Sequence, residues 1–215
     1  MFWMFASVTA VAVTVLVWAE WRSSAVRFVA KPIASLGFIA AALDRGAFDS
    51  TYGRILFIGL VLAAFGDVFL LGSNRPMFLA GLVSFLLGHI AYGVAFATFG
   101  WWHDTRVNFV WLAAVSLPLA AVSYLVVRWL KPHLTDDMRS PVFAYVFVIT
   151  VMVLAALSAA NAGATGWILI GAIGFFLSDL AVARNQFVVE SITNRVWGLP
   201  LYYAAQLVLA WTVGV

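Results

Sequence analysis

The chain has 215 residues, of which 65% are hydrophobic and only 10% are charged, and its formal net charge is +3. A soluble domain of this size needs a much larger charged share on its surface, so the composition excludes a water-soluble protein and indicates one surrounded by lipid. Cysteine is absent, which excludes a disulfide framework, a thiol nucleophile and a thiolate metal site.

Apolar runs of membrane-spanning length follow one another along the chain with short polar breaks between them. A transmembrane helix needs about 20 predominantly apolar residues. Because the runs are continuous and do not alternate, a membrane β-barrel is excluded. We therefore predict an all-α polytopic integral membrane protein, a single transmembrane domain over residues 1–215. Its eight transmembrane helices are predicted at 2–19, 26–43, 55–71, 77–101, 107–130, 142–160, 165–183 and 196–215.

Basic residues are concentrated in the loops that follow the odd-numbered predicted helices. Nine of the twelve lie there, namely Arg22, Arg27, Lys31, Arg75, Arg128, Lys131, Arg139, Arg184 and Arg195. The positive-inside rule then predicts a multi-pass protein of the plasma or inner membrane, with both termini outside the cell and these loops in the cytoplasm. The asymmetry also accounts for the net positive charge. No basic groove with interleaved aromatic residues indicates a nucleic-acid partner.

A faint internal repeat divides the predicted helices into two groups of four. Lys31 and Pro32 begin the second helix and Asp67 lies late in the third, while Pro141 begins the sixth and Asp179 lies late in the seventh. Four helices separate the equivalent positions, so the two halves would run parallel about an axis along the membrane normal. Only a few residues match, and coincidence stays an alternative.

Two carboxylates inside the predicted helices carry the functional argument. Of the nine acidic residues, only Asp67 and Asp179 are flanked on both sides by apolar helix. Such a group costs a few kcal/mol to insert and normally faces a partner or a wet cavity. By helical rise, each lies about 6 Å inside the cytoplasmic end of its helix, so the two share a level. We predict both as catalytic residues; a structural polar pair between helices is the alternative.

Further polar side chains enter the helices near this level or deeper in the bilayer. They are Lys31, His89, Tyr92, Tyr202, Tyr203 and Gln206. We predict that Lys31 and the tyrosine pair join the acids in one polar cluster near the cytoplasmic leaflet, and that the deeper His89, Tyr92 and Gln206 line the inner wall of the pocket. Lys31 could instead snorkel to the interface, the tyrosines could be interfacial anchors, and His89 could bond to a neighbouring helix. Helical rise separates His89 from the acids by about 12 Å along the membrane normal, which argues against a metal site.

Several short motifs occur in a specific order. They are Gly66-Asp67, Gly88-His89-x-x-Tyr92, Ser178-Asp179 followed by Asn185, and Leu199-Pro200-Leu201-Tyr202-Tyr203-x-x-Gln206. Over residues 31–206 this order resembles the YhhN-like lysoplasmalogenase family. The resemblance implies an eight-helix membrane enzyme that hydrolyses the vinyl ether bond of lysoplasmalogens, releasing a fatty aldehyde and a glycerophospho-base. The Lys31-Pro32 start of the second helix also fits this family. The resemblance implies that substrate-binding residues lie at these places, namely Lys31, His89, Tyr92, Asn185, Tyr202, Tyr203 and Gln206. Among them, Lys31 and the tyrosine pair would bind the phosphate.

The chemistry of a vinyl ether suits a pair of carboxyl groups. Protonation of its β-carbon gives an oxocarbenium ion, and water then adds to form a hemiacetal that collapses to aldehyde and alcohol. One carboxyl would act as the acid and the other would stabilise the cation and deprotonate water, as in glycosidases. The residues do not assign the two roles, and no metal or organic cofactor is needed. The partners predicted are a lysophospholipid substrate and membrane lipids; a transporter or channel using Asp67 and Asp179 as a proton or cation site is the alternative.

Overall fold

The computed structural model describes residues 1–102 and 109–214. Within them the chain forms eight α-helices: α1 Phe2–Trp21, α2 Arg27–Asp44, α3 Thr51–Phe69, α4 Arg75–Trp102, α5 Phe109–Leu130, α6 Asp136–Asn161, α7 Trp167–Ala183 and α8 Ile192–Thr212. A 3-10 turn at Lys131–His133 follows α5, and a π-helical turn at Arg184–Val188 follows α7. The predicted start of the fifth span at Val107 and end of the last at Val215 lie outside the described residues.

The all-α fold is confirmed, since the described residues contain no strand. In this part of the chain six helices are long and apolar enough to cross a membrane, namely α1 and α3 to α7. The chain is therefore a multi-pass membrane protein. The two remaining helices are more polar: α2 carries Arg27, Lys31 and Asp44, and α8 carries Asn194 and Arg195. The count of eight transmembrane helices stays a prediction.

Three helices begin at least four residues earlier than the apolar pattern indicates, and the first of these, α3, begins at Thr51 instead of residue 55. The sixth begins at Asp136 instead of residue 142, and its first turn carries Asp136 and Asp137, whose negative charge favours a helix N-terminus. The eighth begins at Ile192 instead of residue 196, after Ser191, whose hydroxyl accepts a hydrogen bond from the Thr193 backbone N–H. Hydrophobicity marks where contact with lipid ends, whereas capping residues mark where the helix itself begins. The predicted break between the fifth and sixth helices, residues 131–141, is consequently shortened to residues 131–135.

Close packing of helix pairs depends on small residues at the contact. In the α3–α4 pair, a Cβ added at Gly59 would overlap the buried ring of Tyr92. In the α7–α8 pair, a Cβ at Gly171 would overlap the side chain of Leu209. Small residues allow helix backbones to approach closely in a membrane, where water supplies no hydrophobic force between helices. These contacts set the register that brings the polar side chains of the two pairs to the same end of the bundle.

A cavity of about 960 Å³ opens between two hydrophobic clusters. Phe85 and Phe176, which belong to the main core, form part of its wall. Leu130 and Met138, which belong to a smaller cluster where α5 meets α6, form another part. The cavity is thus a gap between two packed regions of the bundle, with mainly apolar walls.

We expect that Gly59→Ala destabilises the protein by about 1–3 kcal/mol, because the added methyl group would force the Tyr92 ring out of its packed position. The Tyr92 hydroxyl is also held by Gln206, so the ring has little freedom to move. Thermal unfolding of the detergent-solubilised protein measures the effect. Gly166→Ala is the matched control, because a Cβ there meets nothing within 4 Å. Equal melting temperatures for the two variants would contradict the packing argument.

Candidate active site

Asp67 on α3 and Asp179 on α7 both line the cavity. The Asp67 side chain is almost completely buried, with 3% of its surface exposed, and that of Asp179 is 16% exposed. Both predicted carboxylates therefore reach one space from different helices. Each has its own set of hydrogen-bonding partners, and these sets differ in charge.

Three donors converge on the Asp67 carboxylate. The Lys31 ammonium lies 3.3 Å from Oδ1. The hydroxyls of Ser35 and Tyr202 each donate to Oδ2 over 2.8 Å. These donors come from two other helices, so the Asp67 carboxyl group is held in place by both α2 and α8.

The Lys31 turn of α2 is itself held in place by hydrogen bonds. Lys31 and Ser35 are four residues apart, so they lie on the same face of α2. The Tyr203 hydroxyl donates to the Lys31 carbonyl over 3.3 Å and lies 3.4 Å from the Ser35 hydroxyl. Through these bonds α8 fixes the segment of α2 that supplies two of the three partners of Asp67.

The partners of Asp179 are an aromatic hydroxyl and an imidazole. The Tyr145 hydroxyl donates to Oδ2 over 2.6 Å, and His89 Nε2 lies 3.5 Å from the same oxygen. His89 Nδ1 lies 2.7 Å from the Phe85 carbonyl, which can only accept, so Nδ1 carries a hydrogen. Nε2 then faces Asp179, and among the described residues it has no hydrogen-bond partner. The imidazole ring of His89 therefore faces the Asp179 carboxyl group across 3.5 Å.

The two carboxylates are contacted in a crosswise pattern. Asp67 on α3 receives partners from α2, the helix before it, and from α8, where Tyr202 lies. Asp179 on α7 receives Tyr145 from α6, the helix before it, and His89 from α4. Each carboxylate is thus bonded to the preceding helix and to the last helix of the other group of four.

The predicted separation of His89 from the acids is wrong. Helical rise suggested about 12 Å, yet His89 and Asp179 are 3.5 Å apart. The estimate of depth assumed that α4 starts at the membrane surface. This helix is 28 residues long, and its residue Phe85 packs against Gly66 of α3, which is next to Asp67. His89 is therefore only about one turn beyond the level of Asp67. In the described part of the chain, no three His, Asp or Glu side chains are grouped as a metal site.

The other predicted binding residues divide into two groups. Lys31, Asn185 and Tyr202 line the cavity. The remaining residues, His89, Tyr92, Tyr203 and Gln206, are buried behind its wall. The Tyr92 hydroxyl donates to Gln206 Oε1 over 2.7 Å, so these two support α8 from inside the bundle. Contact of this second group with a substrate stays a prediction.

Asn185 has a structural role in addition to its place on the cavity wall. Its Oδ1 accepts hydrogen bonds from the Ser191 backbone N–H at 3.1 Å and from Asn194 Nδ2 at 3.2 Å. These bonds hold the π-helical turn against the start of α8. Turns of this kind are frequent at functional sites, because they reposition the side chains that follow them.

Sequence reasoning missed two partners of the carboxylates, Ser35 and Tyr145. Ser35 could have been found, because it lies one helical turn after Lys31 on the same face. Tyr145 lies inside the sixth apolar run, where a tyrosine away from the interface normally needs a hydrogen-bond partner. The sequence offers no signal that this partner is Asp179.

Comparisons with known proteins agree with the resemblance. The chain is 30% identical over 161 residues to lysoplasmalogenase TMEM86A from Homo sapiens, which is 72% of this chain and 63% of that protein. It is 31% identical over 183 residues to lysoplasmalogenase TMEM86B from Sus scrofa, which is 85% of this chain and 72% of that protein. The match thus spans less than two thirds of the human protein, and no solved structure matches. The YhhN family model matches residues 26–213, so the chain belongs to the YhhN family.

Proposed function

We propose that this protein is a lysoplasmalogenase, an enzyme that hydrolyses the vinyl ether bond of lysoplasmalogens to a fatty aldehyde and a glycerophospho-base. The observation that carries the proposal is that a buried carboxyl group, Asp67, and a half-buried one, Asp179, line one cavity with mainly apolar walls. The relatives from Homo sapiens and Sus scrofa are both named lysoplasmalogenase, which supports the proposal. Our mechanism uses side chains of this cavity, the residues that hold them in place, and water.

The alkenyl chain of the substrate would lie along the apolar wall. Val142, Val146 and Ile149 line the cavity along one face of α6, at intervals of three and four residues. Tyr145, which bonds to Asp179, lies among them. A chain lying on this face brings its first double-bonded carbons to the level of the carboxyl groups.

Asp179 would act as the general acid. Its carboxylic acid would carry the transferable proton, with His89 Nε2 lying 3.5 Å away and the Tyr145 hydroxyl donating to the same group. The acid transfers this proton to the β-carbon of the vinyl ether, and the positive charge that results is shared between the adjacent carbon and the ether oxygen. His89 would keep the acid group in place and help it to regain a proton from solvent. His89 is therefore a positioning residue in this scheme.

Asp67 would remain a carboxylate and stabilise the oxocarbenium ion. Lys31, Ser35 and Tyr202 hold it in position through hydrogen bonds. Water adds to the cationic carbon and gives its proton to Asp67, which forms a hemiacetal. The hemiacetal then breaks its bond to the glycerol oxygen, which takes the proton held by Asp67. The hydroxyl proton of the hemiacetal leaves as the aldehyde forms and returns through solvent and His89 to Asp179. One water is consumed, and both carboxyl groups return to their starting states.

We further propose that all eight helices cross the membrane, with both termini outside the cell and the cavity open toward the cytoplasmic leaflet of the cell membrane. The greater polarity of α2 and α8 supports this, because these helices supply Lys31, Ser35 and Tyr202 to the interior of the bundle. A helix whose polar side chains face other helices can span a membrane. The crosswise contacts of the two carboxylates support the internal repeat that divides the helices into two groups of four.

Cysteine labelling tests this topology, since the natural chain has no cysteine to interfere. A cysteine at Thr135, in a loop with basic neighbours, should react with an impermeant reagent only after membrane permeabilisation. A cysteine at Asn161, which is exposed at the end of α6, should react in intact cells. The reverse pattern would overturn the orientation, and equal labelling of both sites would overturn the crossing of α6.

Removal of either carboxyl group should abolish turnover. Asp67→Asn and Asp179→Asn keep the shape of the side chain and remove the ionisable group. We expect the rate of aldehyde release to fall by at least about 10² in each variant, because general acid and base groups contribute this much. Purified protein with lysoplasmenyl lipid provides the assay.

The control for these variants is Asp136→Asn, which changes a side chain that is 90% exposed and outside the cavity wall. It should retain nearly full turnover. A well-folded Asp67→Asn or Asp179→Asn variant with normal turnover would show that this residue only holds helices together. Natural protein that releases no aldehyde in any detergent would instead favour the transporter alternative.

The type of bond cleaved tests the mechanism itself. Only a vinyl ether can take a proton on carbon to give the stabilised cation. A saturated alkyl ether cannot, and an ester requires an activated nucleophile with an oxyanion hole. Matched lysolipids should therefore show cleavage of the vinyl ether alone. In heavy water, rapidly trapped aldehyde should carry one deuterium on the carbon next to the carbonyl; aldehyde without it would contradict proton transfer from the acid.

A further inference from the structure

A cluster of charged side chains lies on the wall of the same cavity, away from the carboxyl pair. Glu20 of α1 accepts a hydrogen bond from Arg195 of α8, and Arg27 of α2 lies 3.8 Å from the same oxygen of Glu20. Arg195 also lies 3.3 Å from Glu190, in the segment before α8. All four residues line the cavity. The mechanism above uses none of them.

The charges in this cluster do not balance within its buried part. The Glu20 side chain is 10% exposed, and each of the two arginine side chains is 31% exposed. The Glu190 side chain is 80% exposed, so water screens its charge and it offsets little of the positive charge of the arginines. Two guanidinium groups thus face one shielded carboxylate, which leaves a net positive charge beside the cavity. Paired guanidinium groups suit phosphate, because their planar arrays of donors match its oxygens.

The cluster also lies at a suitable distance from the carboxyl pair. Arg27 precedes Lys31 by four residues on α2, or about 6 Å of helical rise. Arg195 precedes Tyr202 by seven residues on α8, or about 10 Å. Lys31 and Tyr202 both contact Asp67, so the arginines lie one to two helical turns outward from it. The glycerol backbone between the phosphate and the vinyl ether of a lysophospholipid is comparable in length.

Lys31 is less suited to bind the phosphate than these arginines. Its side chain is 9% exposed, and its ammonium lies 3.3 Å from Asp67. A phosphate drawn to Lys31 would compete with that carboxylate and bring a second negative charge beside it. The two arginines can bind a phosphate without disturbing Asp67.

We propose that Arg27, Arg195 and Glu20 form a headgroup site for a single-chain phospholipid. The phosphate binds between the two guanidinium groups in competition with Glu20. The displaced Glu20 carboxylate and the exposed Glu190 then accept the amine of a zwitterionic headgroup. This inference rests on the proposed function, to which it adds the part of the substrate recognised at the cavity wall.

Binding of uncleavable probes tests the site without depending on turnover. Three saturated 1-O-alkyl lipids are compared on the full-length protein in detergent: one with a phosphoethanolamine head, one with a phosphate head and one with a free glycerol. Arg27→Gln and Arg195→Gln should each weaken binding of both phosphate lipids at least about tenfold, since each removes a charged partner. Binding of the alkylglycerol should not change. Arg139→Gln, outside the cavity wall, is the control and should bind all three normally.

Glu20→Gln separates a binding site from a mere contact between helices. If Glu20 competes with the phosphate, its neutralisation should tighten binding of the lipid with the bare phosphate head several-fold and reduce the preference for the amine. If the cluster only joins α1, α2 and α8, the same variant should weaken binding of all three lipids. That second result, or equal losses for the alkylglycerol in the arginine variants, would overturn the proposal.

Two further comparisons define what the site recognises. Inorganic phosphate and chain-free glycerophosphoethanolamine should compete only weakly with the alkyl lipids, because the site forms one end of an apolar cavity. Strong competition by inorganic phosphate would overturn the assignment to a lipid.

The probes also separate the headgroup site from the proposed enzymatic function. Arginine-dependent binding without aldehyde release from the vinyl ether lipid would refute the proposed function and leave the headgroup site supported.

Discussion

A carboxylate inside a lipid-embedded bundle must find its hydrogen-bond partners on other helices, and this requirement organises the structure. Asp67 and Asp179 cannot be solvated by lipid, and their own helices offer no free donors, because backbone N–H groups late in a helix already bond to the carbonyls four residues before them. Lys31 and Tyr202 satisfy the first from α2 and α8, and Tyr145 and His89 approach the second from α6 and α4. The polar contacts therefore fix how these helices stand relative to one another.

The same requirement explains why the helices differ so much in polarity. The helices α2 and α8 carry the cation and hydroxyls that serve Asp67, and they are the two that are less apolar than a typical span. In contrast, α5 exposes large side chains such as Val110 and Leu117 and supplies only apolar residues to the cavity wall. A buried helix can be polar because neighbouring helices replace water, whereas a peripheral one must match the lipid.

The cavity combines an apolar wall with two polar regions at different depths. Asp67 and Asp179 lie deeper, and the cluster of Glu20, Arg27 and Arg195 lies outward from them. A single-chain phospholipid has the same order of groups, with an apolar chain, a reactive linkage and a charged head. Its recognition at both polar regions would position the linkage without requiring a close fit along the flexible chain, since the two ends already restrict its position.

The sequence alone indicated the membrane environment, the number of helices and the two carboxylates that line the cavity, because apolar runs and the charges inside them are local features. It also indicated Lys31 and Tyr202 as neighbours of Asp67 through their shared level. Only the tertiary structure decided that His89 and Tyr145 belong to Asp179, whereas Lys31 and Ser35 belong to Asp67. Helical rise counts depth along one axis, but these partnerships depend on which helices are adjacent and on how far side chains reach across the contact. Those quantities are set by packing at residues such as Gly59 and Gly171, whose effect the sequence does not reveal.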